Sequence, residues 1–175
     1  MTQTGAHTAA AGKKTKVQGL TPCLVFVNRA EEAVNFYVSL FDNSKVVSMV
    51  RSEGNEKMPE GTLMHASFEL NGREYTAFDG GPSFSFSEGI SLMVTVETQD
   101  EIDRLWTELT AGGGEEGPCG WLKDRFGLSW QIVPAALGAM LSDSKHGNTA
   151  KALAAMLKMK KLDIAALEKA YRSPA

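Results

Sequence analysis

The apolar positions of this chain form a pattern that occurs twice. Residues 20–27 are rich in β-branched and aromatic side chains, which predicts a strand. Asn28 and Glu31 then have the spacing of a helix-capping box, and apolar residues recur at helical spacing over 33–41. Three further strands are predicted at residues 45–51, 62–70 and 73–79. The last two are joined by Asn71-Gly72, a strong two-residue hairpin signal, so the order is β-α-β-β-β.

The second half of the chain repeats this order about 70 residues later, a spacing that suits a duplicated module and is too long for a solenoid. Residues 90–96 predict a strand, and Thr98 with Glu101 has the capping-box spacing before a second amphipathic helix. Strands are predicted again at 120–124 and 128–133, whereas the polar, glycine-rich stretch before them gives a weaker strand signal. The fold class predicted is α+β, with paired βαβββ modules and a C-terminal helical tail.

The end of the chain differs in kind from the two modules. Residues 149–161 are rich in Ala, Leu, Met and Lys, and the lysines gather where they complement a helix dipole. Asp163 is placed to cap a last helix, and the stripe Met156, Leu157 and Met159 is expected to pack on the sheet or on a partner subunit. The predicted division is a disordered head over 1–17, one domain over 18–141 with modules 18–82 and 88–134, and a helical tail over 145–172.

Composition narrows the functions that are open to the protein. The 175 residues carry a formal net charge of −3, too acidic for a chain that grips nucleic acid through its phosphates. No apolar run is long enough for a membrane span, and the N-terminus lacks the apolar core of a signal peptide, so a cytoplasmic protein is expected. With two cysteines and three histidines, neither a disulfide framework nor a histidine-rich metal centre is expected.

Alternation along the predicted strands separates an apolar face from a mixed polar face in each module. If the polar faces converge on one cleft, its lining suits a small polar-aromatic ligand. The candidate ligand-cleft residues on this reading are His65, Glu69, Tyr75, Asp79, Ser91, Met93 and Gln131.

Each reactive side chain also has an ordinary structural explanation. His65 and Glu69 lie about 13 Å apart along a strand, too far for a paired general base. Asp79 precedes two glycines, which is common turn chemistry. Cys23 and Cys119 have no base nearby in sequence and are expected to be small core residues. Catalytic residues are therefore not assigned.

Several motifs carry a resemblance to a known family. They are Thr21-Pro-Cys-Leu24, Ala30 to Tyr37, Phe78-Asp-Gly-Gly-Pro82, Cys119 to Gly127, Ser129 to Pro134, and Met156 to Leu167. Over about residues 18–171 the chain resembles the vicinal oxygen chelate superfamily of glyoxalases, dioxygenases and bleomycin-resistance proteins. More narrowly it is similar to the PhnB-like branch, which bears the label 3-demethylubiquinone-9 3-methyltransferase.

The resemblance implies four ligand positions in metal-binding members, on the first and last strand of each module. Here they fall near Pro22, Asp79 (or Phe78), Ser91 and Gln131. Because one carboxylate without an imidazole does not make a zinc, nickel or iron site, no metal and no cofactor are expected. The resemblance further implies a homodimer, since superfamily clefts are often completed across subunits.

Three functions remain open at this point. The favoured one is a protein that binds a small molecule in the cleft between the modules without a family-type metal. The alternative is a lyase, isomerase or dioxygenase with a divalent metal displaced to Glu69, Asp79 and His65. The third is a partner-binding module that acts through its tail. A methyltransferase is not expected, because no glycine-rich turn follows an early strand and the chain is too short for that domain as well.

Overall fold

A computed structural model describes residues 15–174, so most of the predicted disordered head lies outside the described residues. The first module is a four-stranded sheet with one helix. Its elements are β1 (Cys23–Phe26), α1 (Ala30–Leu40), β2 (Lys45–Arg51), β3 (Leu63–Leu70) and β4 (Arg73–Asp79). The strand order is β1-β4-β3-β2, with β1 parallel to β4 and the other pairs antiparallel.

The second module has the same order of elements. They are β5 (Leu92–Val96), α2 (Gln99–Thr110), β6 (Glu115–Glu116), β7 (Trp121–Lys123) and β8 (Ser129–Pro134). Its sheet has the equivalent order β5-β8-β7-β6, and again the first strand runs parallel to the last. The α+β class with paired βαβββ modules is confirmed, including the short strands for which the sequence signal was weak.

The two helices begin in different ways. Before α2, Thr98 accepts a hydrogen bond from Glu101 N while the Glu101 carboxylate accepts from Thr98 N, so the predicted capping box is present. The corresponding prediction for α1 is wrong. Asn28 adopts φ +56°, and the carboxylate of Asp79 caps the helix by accepting a hydrogen bond from Ala30 N at 2.9 Å. Glu31 instead pairs with Arg51 on β2.

Each sheet has a side packed under a helix and an opposite side, here called its open face. Burial alternates accordingly: Ala66, Phe68 and Ala77 are buried on the helix side of the first sheet, as are Trp130 and Ile132 in the second. The helix sides of both sheets contribute to one hydrophobic core. The modules therefore join through their helix sides, and the open faces take no part in the join.

At the centre of this join, the module junction is formed by Tyr37, Asp124, Phe126 and Trp130. The buried Asp124 carboxylate accepts hydrogen bonds from the Tyr37 hydroxyl at 2.7 Å and the Trp130 indole N–H at 2.8 Å. Its other oxygen accepts from the backbone N–H groups of Phe126 and Leu128. Four donors thus compensate the desolvation of one carboxylate and tie α1 to the second sheet.

Around the junction, two arginines stack on aromatic rings. Arg125 lies 4.0 Å from the ring centroid of Phe36, and Arg29 lies 4.5 Å from that of Phe126. Glu32 accepts two hydrogen bonds from Arg29 and lies 3.5 Å from Arg125. These contacts extend the connection between the modules to the surface.

The tail packs on the second module as three short helices. They are α3 (Ala136–Ser142), α4 (Thr149–Met156) and α5 (Ile164–Tyr171). Asp163 caps α5 as predicted, accepting from Ala166 N at 2.8 Å. The helix predicted to reach residue 161 ends at Met156, and α3 is an element that the sequence pattern did not predict. Met156 and Met159 pack in a second small core, whereas Leu157 is exposed, so only part of the predicted stripe is covered.

Candidate functional site

The open face of the first sheet has small side chains at its centre. Cys23, Thr76, Ser67 and Ser48 lie opposite one another in register, one on each strand, and form a row across the whole sheet. Cys23 is exposed, so the expectation that it is a core residue is wrong. A row of small polar side chains leaves room above the sheet and offers several hydrogen-bonding groups to a ligand.

His65 and Glu69 lie on this open face, as their alternation predicts. His65 is opposite the half-exposed Val50, and Glu69 lies 3.4 Å from the Lys45 ammonium group. The two lie four residues apart on β3, about 13 Å along the strand, and the ion-pair partner of Glu69 is Lys45. They are neighbours of the row of small residues and not a catalytic pair.

Tyr75 and Asp79 are on the opposite side of the sheet, and their predicted place on the polar face is wrong. Tyr75 is directly opposite Phe68 in the register, and the two rings stack with centroids 5.6 Å apart. Asp79 is two positions beyond the buried Ala77 and turns its carboxylate to the α1 N-terminus. Both side chains therefore make their contacts on the helix side of the module.

The open face of the second sheet brings together three predicted residues. Gln131 donates a hydrogen bond from its amide to the Ser91 hydroxyl at 2.8 Å, and Met93 is opposite Gln131 in the register. Met93 is 64% exposed, which is high for a methionine of a sheet. On the other side of Gln131 is Trp121 of β7, so the amide lies between a methionine and an indole.

Beside Trp121 is a cavity of about 390 Å³, at the lower end of the range of small-molecule pockets. Its lining residues are Glu88, Glu115, Glu116, Gly117, Pro118, Trp121, Leu122, Lys123 and Ser129. Lys123 pairs with Glu88, which raises the pKa of the lysine and lowers that of the glutamate. Glu116 accepts from the Trp106 indole N–H at 2.8 Å, and this hydrogen bond, supplemented by Lys160, lowers the pKa of Glu116.

Within one chain, the structure does not unite the predicted cleft residues. The structure also has a groove of about 500 Å³ between the modules and a third cavity of about 520 Å³ beside β1 and the turn at Phe126. Neither of these, nor the cavity beside Trp121, is lined by His65, Glu69, Asp79, Ser91 or Gln131. The groove includes Tyr75 and Met93. The first-sheet and second-sheet candidates are therefore two separate sets, each on its own open face.

The residues at the four expected metal-ligand positions do not fit a family-type metal. Pro22 has no ligating side chain, and its carbonyl accepts from Thr76 N. The Asp79 carboxylate caps α1, and Ser91 and Gln131 are hydrogen-bonded to each other. Over residues 15–174, no group of three or more His, Cys, Asp or Glu side chains is placed to hold an ion. The alternative set of Glu69, Asp79 and His65 is divided between the two sides of the sheet.

The sequence-based candidates did not include Lys123, Cys23, Thr76 or Trp121. A signal for three of them was available. Once a two-residue turn fixes the β3–β4 register, Thr76 falls opposite Ser67. In β7, Trp121 and Lys123 flank the buried Leu122 and so share the other face.

Comparison with known proteins places the fold. The family model described as 3-demethylubiquinone-9 3-methyltransferase matches residues 18–133, so the match ends before the tail, although the motifs above suggested a resemblance to about 171. The PhnB protein of Bacillus cereus is 41% identical, with a TM-score of 0.62, over 67% of this chain and 100% of its own. No curated protein matches the chain significantly.

Two more distant structures share the fold. Protein PA1353 of Pseudomonas aeruginosa is 22% identical, with a TM-score of 0.55, over 67% of this chain and 98% of its own. The fosfomycin resistance protein FosX of Listeria monocytogenes is 13% identical, with a TM-score of 0.51, over 69% and 93%. With its duplicated βαβββ modules and its match over residues 18–133, the chain belongs to the PhnB-like, 3-demethylubiquinone-9 3-methyltransferase-like family of the vicinal oxygen chelate superfamily.

Proposed function

We propose that this protein is a cytoplasmic homodimer that binds a small organic molecule against the open faces of its sheets, without a family-type metal. The observation that carries the proposal is the open face of the second sheet. There the Gln131–Ser91 pair, Met93 and Trp121 combine hydrogen-bonding groups with apolar surface beside a cavity of about 390 Å³. An open face of this composition, with a cavity at its edge, suits a ligand with an apolar body and a few polar groups.

The exposed apolar side chains on the open faces support the homodimer. Val50 is 51% exposed on the first sheet and Met93 is 64% exposed on the second. The strands β1 and β5 are also edge strands, each with one unpaired side. The helix sides of the two sheets already pack together at the module junction. A second copy of the chain is therefore the partner that can bring the open face of a first sheet against the open face of a second sheet. The two separate sets of candidate residues would then line one cleft.

Neither methyl transfer nor family-type metal chemistry has an observation in its favour. S-adenosylmethionine enzymes of the common type use a parallel α/β sheet, whereas each sheet here is mixed and has only four strands. The donors at the expected metal positions are occupied by the helix cap and the Gln131–Ser91 hydrogen bond. We therefore do not infer a methyltransferase activity from the name of the family.

The test is to purify the untagged protein and analyse it by native mass spectrometry and by elemental analysis. We expect a dimer that carries an organic molecule of a few hundred daltons, with the metal content far below one ion per protomer. The Gln131→Leu variant should lose the molecule and remain dimeric, whereas the matched surface variant Gln18→Leu should keep it. Stoichiometric zinc, nickel, iron or manganese that is lost in Asp79→Asn would overturn the metal-free proposal. The asparagine can still cap α1, so that loss would not reflect unfolding.

A further inference from the structure

The linker between the modules, residues 80–90, crosses from β4 to the second sheet with few attachments. Over residues 15–174, its backbone makes one hydrogen bond to another element, from Gly80 N to Phe26 O at 2.9 Å. The other hydrogen bonds are internal to the linker, as in Ile90 N to Ser87 O. The Phe86 ring packs against Phe26 with centroids 5.2 Å apart. The linker is thus fixed at its start and at Phe86.

Beyond Phe86, the side chain that attaches the linker to the second sheet is Glu88, which pairs with Lys123 of β7. The Glu88 side chain is 74% exposed, and the next residue, Gly89, has the wide conformational range of a residue without a side chain. Mutual pKa shifts agree with the geometry, because the pair favours the charged form of both partners.

The position of this pair matters because two cavities meet there. The cavity beside Trp121 includes Glu88, Glu115 and Lys123 in its lining. The same three residues line the third cavity, of about 520 Å³, which runs between β1, the linker and the turn at Phe126. The ion pair therefore lies in the shared wall, and separation of Glu88 from Lys123 would join the two cavities and expose more of Trp121.

We propose that the part of the linker beyond Phe86 is a lid at the edge of the open face of the second sheet and that the Glu88–Lys123 ion pair holds it closed. This inference rests on the proposed function for its purpose, since it assigns the lid to the ligand cavity. An exposed ion pair is weak, so the closed lid is favoured over the open one by only a small factor. Such a balance suits an entrance that must open for a ligand and close again.

Tryptophan fluorescence measures the lid directly, without knowledge of the ligand. Trp106 and Trp130 are 4% and 1% exposed, so quenching by acrylamide reports mainly on the half-buried Trp121. In the ligand-free protein we expect Glu88→Gln and Lys123→Gln each to raise the quenching constant about two- to five-fold. The exposed Glu97→Gln is the matched control and should leave it unchanged.

Two further measurements make the interpretation specific to the ion pair. Raising the salt concentration from 0.05 to about 1 M should increase quenching in the natural protein and leave Glu88→Gln unchanged, because salt screens exposed charges. The variant Lys123→Arg keeps the charge and should retain low quenching. Equal quenching in Glu88→Gln and Glu97→Gln would overturn the proposal, and so would an equal response of Glu88→Gln and the natural protein to salt. Because Glu88 is exposed in the linker, its substitution does not threaten folding. A lid that responds as expected in a protein that co-purifies with no molecule would instead overturn the proposed function alone.

Discussion

The module junction and the open faces of the sheets both combine polar with apolar side chains, but they differ in how far those side chains are buried and paired. At the junction, the one buried carboxylate, Asp124, accepts four hydrogen bonds, and Tyr37 is fully buried. Throughout residues 15–174, every buried polar side-chain atom has a partner. On the open faces, valine and methionine side chains stay exposed beside hydroxyl and amide groups. The contacts of the junction are complete within one chain, whereas the composition of the open faces is typical of surfaces that bind a ligand or a second copy.

The comparison predicts that changes at the junction affect stability and that changes on the open faces affect association. Asp124→Ala should have the largest effect. It would leave the Tyr37 hydroxyl, the Trp130 indole N–H and two backbone N–H groups buried without acceptors. We expect the free energy of unfolding to fall by about 3–5 kcal/mol, measured by urea denaturation. A loss below about 1 kcal/mol would show that the junction is not the main connection between the modules.

Tyr37→Phe should remove one hydrogen bond from the junction and keep its ring packing. The free energy of unfolding should fall by about 1 kcal/mol near neutral pH. Burial, and secondarily the nearby Asp124 charge, raise the pKa of Tyr37 well above its usual value near 10. Above about pH 10 the unfolded chain loses this proton while the folded protein keeps it, so stability should decline as pH rises. Urea midpoints at pH 8 and pH 10.5 should show a smaller decline in Tyr37→Phe than in the natural protein.

Asp79→Ala tests whether this carboxylate belongs to the helix side or to a ligand site. Loss of the cap on α1 should lower the free energy of unfolding by about 1 kcal/mol. Asp79→Asn should cost only a few tenths of a kcal/mol, because asparagine is an equally good capping residue. The co-purifying molecule should remain bound in both variants. If Asp79→Asn lost the co-purifying molecule while circular dichroism showed intact helices, Asp79 would belong to the binding site.

Met93→Lys should have the smallest effect on the stability of the chain and a large one on association. Its side chain is 64% exposed, so the substitution should change the unfolding free energy of the monomer by less than about 0.5 kcal/mol. Light scattering after size-exclusion chromatography should show a monomer. Leu153→Lys, at a 43% exposed position on α4, is the matched control and should stay dimeric. A dimer in both variants would contradict the assignment of the open faces to the dimer interface.

Local patterns predicted the elements well because each depends on neighbouring residues. The strands β2 and β4 have the predicted bounds, and the capping box of α2 needs only Thr98 and Glu101, three residues apart. The faces of β4 were predictable too, but only by carrying the Asn71-Gly72 turn into the register, which places Tyr75 opposite Phe68. Polarity alone assigned Tyr75 to the wrong side, because a tyrosine ring packs well in a core when its hydroxyl can reach a polar or exposed environment.

By itself, the sequence determined the two βαβββ modules, the scarcity of metal ligands and the cap of the last helix, since periodicity and residue type are local properties. Tertiary structure decided what the polar groups do. Asp79 caps a helix that begins 49 residues earlier, and Asp124 binds Tyr37 across 87 residues. It also decided that the modules join through their helix sides and leave the open faces exposed. The physical reason is that a buried carboxylate must find donors wherever the folded chain brings them, and no short-range pattern encodes that meeting.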